Sequence, residues 1–221
     1  DYERMMERTS NRPLAAKRWS PSSALVIAGI FSLFGIILLA LLNPLTSFLG
    51  TLSLVTYAFL YTPLKRYSPV SVIVGAIPGA LPVLIGMIAH DGVVTTGALF
   101  LFAIQFIWQF PHFWSIGFLS YDQYKHAGYK LLPEDDGQID RRLGTQTLVY
   151  TCLLIPVIAI GFIMQLISIW GAIGLVLVSS YFIWRAWVFY RRFDKASARA
   201  LMFSSFIFLP LALLVLWWGI Q

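Results

Sequence analysis

The sequence predicts an all-α protein that lives in a lipid bilayer. Hydrophobic residues make up 58% of the 221 and charged residues only 12%, about half the charged share of an ordinary soluble domain. Seven apolar segments run long enough, or nearly so, to cross a hydrocarbon core, at roughly 22–42, 45–62, 70–89, 94–119, 145–165, 167–187 and 200–219. The sixteen lysines and arginines fall in four stretches that seven crossings place on one side.

Each segment has its own justification. The first two meet at Asn43-Pro44, a turn signal, so they read as a helical hairpin with a short second arm. Backbone polar groups in lipid must pair within their own segment, which makes the spans helices; the short alternating strands of a barrel are missing from the sequence. The third span carries GAIPGALPVLIG. Gly75, Gly79 and Gly86, with Pro78 and Pro82, either let helices approach closely or break one open, and packing is the plainer reading. The fourth contains FIWQFPHFW, in which Pro111 removes a backbone donor and predicts a kink. The single cysteine, Cys152, lies in the fifth span; it excludes an internal disulfide or a cysteine metal cluster and reads as an inert core thiol.

The basic stretches orient the chain. Arg4, Arg8, Arg12, Lys17 and Arg18 precede the first span. Lys65 and Arg66 follow the second, and Lys125, Lys130, Arg141 and Arg142 follow the fourth. Arg185, Arg191, Arg192, Lys195 and Arg199 are read as the connection between the sixth and seventh. The positive-inside rule makes that side the cytoplasm, or the matrix of a mitochondrion. His90 and Asp91 are the candidates for charge on the other side. The net charge of +6 is therefore topological and implies no nucleic-acid partner. Nine of the ten acidic residues lie on the basic side too. Polar chemistry gathered at one face favours an interfacial enzyme acting on amphiphiles over a channel or transporter, whose polar groups scatter through the midplane.

Three polar pairs on that side share a spacing of four, which puts both members on one helical face. Arg8 and Arg12, in RTSNRPL, flank Thr9 and Asn11; they either mark the inner face against lipid headgroups or grip a phosphate or carboxylate. Tyr61 and Lys65, in YTPLK, end the second span; Lys65 either snorkels to the interface or holds a diphosphate as a point charge. Asp122 and His126, in YDQYKH, follow the fourth span, and a carboxylate at that depth suits Mg²⁺ bridging to phosphates. Glu134, Asp135, Asp136 and Asp140 read as a solvated loop. Inside the fourth span Gln105, Gln109 and His112 form a polar stripe that either joins helices or lines a cavity. Trp108, Phe110, Phe113 and Trp114 crowd the same turns, as an interface belt or as the wall for a flat conjugated substrate.

These motifs together resemble the protohaem IX farnesyltransferases, a branch of the membrane prenyltransferase superfamily. The resemblance rests on MERTSNRPL (6–14), YTPLKR (61–66), GAIPGALPVLIG (75–86), WQFPHF (108–113), YDQYKHAGYKLLP (121–133) and ARALMFSSFIFLPL (198–211), in family order over essentially the whole chain. It implies a single-domain bundle of nine helices around a central cavity. Seven are counted here, and the other two are expected to precede Asp1, with part of the family's first aspartate-rich motif. It implies transfer of a farnesyl group from farnesyl diphosphate to a vinyl group of haem B, with addition of water. Arg8, Arg12 and Lys65 would draw off the diphosphate, with Tyr61 and Asn11 beside it. Asp122 and Glu3 would place Mg²⁺, the glutamate shifting the ion relative to the family's aspartate. Gln105, Gln109 and Trp108 would line the haem site, and His112 would either ligate the haem iron or act as a base that orients water. The implied setting is the bacterial cytoplasmic membrane with its active face cytoplasmic, the mitochondrial inner membrane being the alternative. Haem A synthase or oxidase assembly factors are the implied protein partners. The rival readings are a superfamily member with another aromatic acceptor and a non-enzymatic membrane haem-binding protein.

Overall fold

The computed structural model describes residues 2–7 and 9–219. Seven helices are long and apolar enough to cross a membrane: α1 (Pro21–Leu42), α2 (Pro44–Leu64), α3 (Ser71–Asp91), α4 (Thr96–Leu119), α6 (Arg142–Ile163), α7 (Ile169–Arg192) and α8 (Lys195–Gly219). A short helix, α5 (Tyr121–His126), follows α4. The chain divides into two compact units, Asp1–Val93 with Ser120–Leu131, and Val94–Leu119 with Leu132–Gln221.

In the first unit the α1–α2 hairpin turns on one residue. Asn43 is extended (φ −165°, ψ 159°) and Pro44 starts α2, where a missing N–H costs nothing. The Asn43 Oδ1 accepts from the Thr46 N–H at 2.9 Å, and its Nδ2 donates to the Ile88 carbonyl at the end of α3, 3.0 Å away. Thr46 Oγ1 donates to α1 at the Leu39 carbonyl, 2.8 Å, and Ser47 Oγ to Ile36, 3.2 Å. The turn thus consumes polar groups that hydrocarbon would punish. No residue of α1 is buried; Leu25, Phe31 and Leu41 are more than 70% exposed, as lipid-facing side chains should be.

The second arm of the hairpin is longer than the expected 45–62. It continues through a π-helical stretch, Thr56–Tyr61, that the sequence pattern does not show. Pro63 lacks the N–H that would close an α-turn on Phe59. The wider turn meets this: the Thr62 N–H and its Oγ1 (2.8 Å) both donate to the Tyr57 carbonyl. The widened stretch ends on Tyr61. Across from it, a Cβ on Gly75 would come within 2.7 Å of the Tyr61 ring. Gly75 therefore serves close packing, as its motif suggests. Gly86 does not, because nothing lies within 4 Å of its would-be Cβ. α3 runs unbroken through Pro78 and Pro82.

In the second unit α8 packs on α4 and α7, and α7 also packs on α6. Phe182 and Phe208, both fully buried, stack with centroids 5.2 Å apart. α7 and α8 approach closely where a Cβ on Gly171 would lie 3.0 Å from the Gly219 Cα. Between them Phe193, in the left-handed region (φ 51°), ends α7, and Asp194 starts α8. Its carboxylate accepts from the Ser197 N–H at 2.7 Å and from Ser197 Oγ at 2.8 Å, which holds its carboxyl below the usual range.

Several sequence expectations need correction. Arg185, Arg191, Arg192, Lys195 and Arg199 do not form a connection; they ride on the ends of α7 and α8, joined by Phe193 and Asp194 alone. Helical hydrogen bonding does not stop where hydrocarbon does, and Arg and Lys are good helix formers. Cys152 is exposed on α6 rather than in a core; α6 pauses there, at Leu153, because Pro156 withholds the donor for the Cys152 carbonyl. The acidic loop is an antiparallel hairpin, Glu134–Asp135 against Gln138–Ile139, turning on Asp136 and Gly137, both at positive φ. α4 is continuous through Pro111.

Gly75→Ala is expected to lower stability by about 1–3 kcal/mol through overpacking against Tyr61. Gly86→Ala is expected to raise it by about 0.5–1 kcal/mol, since it only removes backbone freedom from a helix. Thermal unfolding of the two variants in detergent checks the pair.

Candidate functional site

The residues singled out in the sequence gather in two constellations, one in each unit. The first centres on Tyr129, which is 7% exposed. Met6, from the N-terminal arm, is buried against Tyr129 and Ala127, with Tyr124 and Leu131 packed on the group. From the end of α2, the Lys65 ammonium lies 4.8 Å from the Tyr129 ring centroid and 5.8 Å from that of Tyr61. The Lys130 N–H donates to the Lys65 carbonyl at 2.8 Å. So the arm, the YTPLK end of α2 and the loop after α5 converge on one tyrosine. Tyr57 and Tyr124 extend the ring cluster, at 5.2 Å from Tyr61 and 6.2 Å from Tyr129. Ring faces hold a cation without cancelling its charge, each worth about 0.5–2 kcal/mol according to its desolvation. Lys65 is half-buried here; its ammonium is gathered into the tyrosine cluster.

After a short 3₁₀ helix, Tyr2–Met5, the arm is a run of turns. The Arg12 N–H donates to the Thr9 carbonyl, and the Ala16 N–H to that of Arg12, at 3.0 and 2.8 Å. The Pro13 carbonyl accepts from the Arg18 and Trp19 N–H groups. Two guanidiniums fold the arm on itself, Arg4 donating to the Ala15 carbonyl and Arg18 to that of Asn11. Arg12 and Asn11 are exposed. Arg8 and the Glu3 side chain lie outside the described residues. Asp122 and His126 share a face of α5, both exposed. Among the described residues no three His, Cys, Asp or Glu side chains come together to hold a metal.

The second constellation surrounds His112 on α4. Its Nδ1 lies 2.8 Å from Ser205 Oγ on α8. Trp108, one turn earlier, stacks on the imidazole with centroids 4.9 Å apart and planes 14° from parallel. The Trp108 Nε1–H donates to the Ser205 carbonyl at 2.8 Å. Phe206 closes the other side edge-on, at 5.0 Å. His112 is 9% exposed and Gln109 2%. The Gln109 amide donates to its own helix at the Gln105 carbonyl, 3.2 Å away, and Gln105 is half-buried. Trp108, Phe110 and Trp114 are all buried, and the rings of Phe110 and Trp114 pack against Tyr150 of α6. They are interior residues, not an interface belt; Phe113 alone of the four is exposed. An apolar cavity of about 190 Å³ lies elsewhere in this unit, lined by Thr96, Leu99, Phe100, Val157, Ile160 and Met164 among others. Its α4 residues end nine positions before His112, about 14 Å along the helix.

Tyr124, Tyr129 and Ser205 escaped sequence reading. Gly128 (φ 74°) breaks the helix between the two tyrosines, so no periodicity links them. Ser205 looked like one small residue among others in an apolar span.

A family model for the UbiA prenyltransferase family matches residues 1–218. The chain belongs to the UbiA prenyltransferase family. Among curated relatives, the protoheme IX farnesyltransferase of Christiangramia forsetii is 38% identical over 220 residues, covering 97% of this chain and 72% of that one. That of Flavobacterium johnsoniae is 39% identical over 221 residues, with the same coverage. That of Cytophaga hutchinsonii is 37% identical over 212 residues, 96% of this chain and 74% of the relative. Among solved structures, a digeranylgeranylglyceryl phosphate synthase superposes with a TM-score of 0.79 at 17% identity, over 99% of this chain and 78% of the other. At that identity the likeness is one of fold. The seven crossing helices are thus those of a UbiA integral membrane protein, as the sequence motifs anticipate.

Tyr129→Leu should loosen the arm, since it removes the ring that Met6 and Lys65 both use. Loss of about 1 kcal/mol would raise cleavage by trypsin within residues 4–18 roughly fivefold, given that 1.4 kcal/mol is tenfold. Gel analysis of limited proteolysis in nanodiscs measures this, and an unchanged rate would deny Tyr129 the anchoring role.

Proposed function

We propose that this UbiA prenyltransferase transfers the farnesyl group of farnesyl diphosphate to a vinyl group of haem B, giving haem O and diphosphate. The observation that carries the reading is the convergence on Tyr129 of Lys65 and the arginine-bearing arm. The curated relatives, named for this transfer, support the choice of acceptor.

The demands of the reaction match what the chain offers. The farnesyl C1–O bond breaks with both electrons leaving on the diphosphate. Positive charge focused on those oxygens lowers that barrier. Lys65, Arg12 and, from outside the described residues, Arg8 would provide it, with the Tyr61 hydroxyl and Asn11 as hydrogen-bonding groups. Prenyltransferases of this family generally hold the diphosphate with a divalent metal. Mg²⁺ is our choice for it, since a hard ion that needs one or two carboxylates beside the substrate's phosphates suits Asp122, with Glu3 as a second oxygen ligand. When bound it would neutralise charge on the leaving oxygens. The allylic carbon is then taken by the vinyl π electrons, forming the new C–C bond. The cation left beside the porphyrin adds water, which loses a proton. His112 would face the haem, as a ligand to its iron or as the base that takes that proton, with Trp108, Gln105 and Gln109 around the acceptor. Four basic regions on one side of seven crossings support a cytoplasmic active face in a bacterial cytoplasmic membrane.

In nanodiscs supplied with haem B, farnesyl diphosphate and Mg²⁺, Lys65→Gln should raise the KM for farnesyl diphosphate about tenfold, the effect of one charge-assisted contact of about 1.5–3 kcal/mol partly replaced. Asp122→Asn should move the Mg²⁺ titration to higher concentration. Equal KM values would remove Lys65 from the diphosphate site. Prenylation of 4-hydroxybenzoate in place of haem would replace the acceptor.

A further inference from the structure

We propose that Ser205 is a positioning residue: it locks His112 in the tautomer protonated at Nδ1, so that Nε2 carries the lone pair of the neutral ring. The argument is a count of protons. Ser205 Oγ lies 2.6 Å from the Met202 carbonyl and 2.8 Å from His112 Nδ1. A carbonyl oxygen can only accept, so the single hydroxyl proton is committed to Met202. Were that proton turned toward Nδ1 instead, two oxygen lone pairs would face each other at 2.6 Å. The remaining arrangement has Nδ1–H donating to the serine oxygen. The neutral imidazole has one N–H, so Nε2 is left as acceptor.

The rest of the pocket keeps the ring in that pose. Trp108 stacks on one face and Phe206 meets it edge-on. The indole N–H is fixed to the backbone carbonyl of the same Ser205. One residue of α8 therefore sets both the proton on the imidazole and the ring that flattens it. Ser205 is fully buried, so water does not compete for the hydroxyl. A histidine whose Nε2 must ligate iron or accept a proton needs its other nitrogen held in this way. What the lone pair is for rests on the haem-acceptor reading above; the tautomer does not.

The test reads protonation directly. Protonated and unprotonated imidazole nitrogens have well-separated ¹⁵N chemical shifts. The chain has three histidines, so ¹⁵N-histidine spectra in nanodiscs, with His90→Gln and His126→Gln for assignment, isolate His112. The wild type should show Nδ1–H with Nε2 unprotonated. Ser205→Ala should shift the tautomer ratio toward Nε2–H at least threefold, while Ser205→Thr, which keeps a hydroxyl, should not. The alanine variant retains the backbone carbonyl that Trp108 uses, so α4 and α8 stay joined. With haem B and farnesyl diphosphate, the alanine variant should lose kcat at unchanged KM for farnesyl diphosphate, and threonine should restore it. Wild-type His112 protonated at Nε2, or a ratio that alanine leaves alone, overturns the proposal. An Nδ1–H tautomer in a protein that makes no haem O would instead overturn the assigned reaction and leave the lock standing.

Discussion

A polar group surrounded by hydrocarbon has only the chain itself to bond, and the hydrogen bonds of many polar side chains in the spans follow from that. Asn43, Thr46 and Ser47 spend their hydrogen bonds closing the α1–α2 turn and tying it to α3. Thr62 donates both its N–H and its hydroxyl to the Tyr57 carbonyl within the π-turn. Thr147 and Thr151, buried in α6, donate to carbonyls one turn back. In soluble proteins such bonds contribute modestly, because water offers nearly equal partners. In a bilayer the same bonds decide which conformations exist at all.

The two constellations answer this constraint with different chemistry. On the proposed reaction, the first has to keep positive charge ready for an anion. Tyrosine faces attract the Lys65 ammonium, and Tyr129 lets one ring serve Lys65 and the N-terminal arm together. The second has to keep a neutral heterocycle in one orientation within apolar surroundings. There hydrogen bonds from a neighbouring helix serve better, because they are directional where stacking alone is not.

The fold class was legible because it rests on averages. Seven long apolar runs and a one-sided distribution of lysine and arginine survive any local detail. The motifs pointed to His112, Lys65, Tyr61 and Asp122 because ionisable or amphipathic groups are conspicuous in or beside an apolar span. What stayed hidden is long-range. Tyr129 matters through Met6, more than a hundred positions earlier, and through Lys65. Ser205 matters through His112, 93 positions away. No periodicity encodes such pairs. The helix ends misled for a simpler reason: charge marks where hydrocarbon ends, and at Arg191, Arg192 and Lys195 the helices continue beyond it.

The clamp around His112 also bears on a hazard intrinsic to prenyl transfer. An allylic cation reacts with any accessible lone pair, and an imidazole nitrogen is a better nucleophile than a vinyl group. Under the proposed reaction, in which His112 serves the haem acceptor, a freely turning histidine within reach of such a cation would be alkylated. Rotation of His112 is opposed by Trp108 on its face, Phe206 at its edge and Ser205 on Nδ1. The ring can then offer its lone pair along one direction only. Geometry, more than basicity, separates a residue that assists the acceptor from one that the prenyl cation would consume. On that proposed reading, the groups that immobilise this one side chain have a use: a backbone carbonyl for the indole, a hydroxyl for the imidazole, and two aromatic rings.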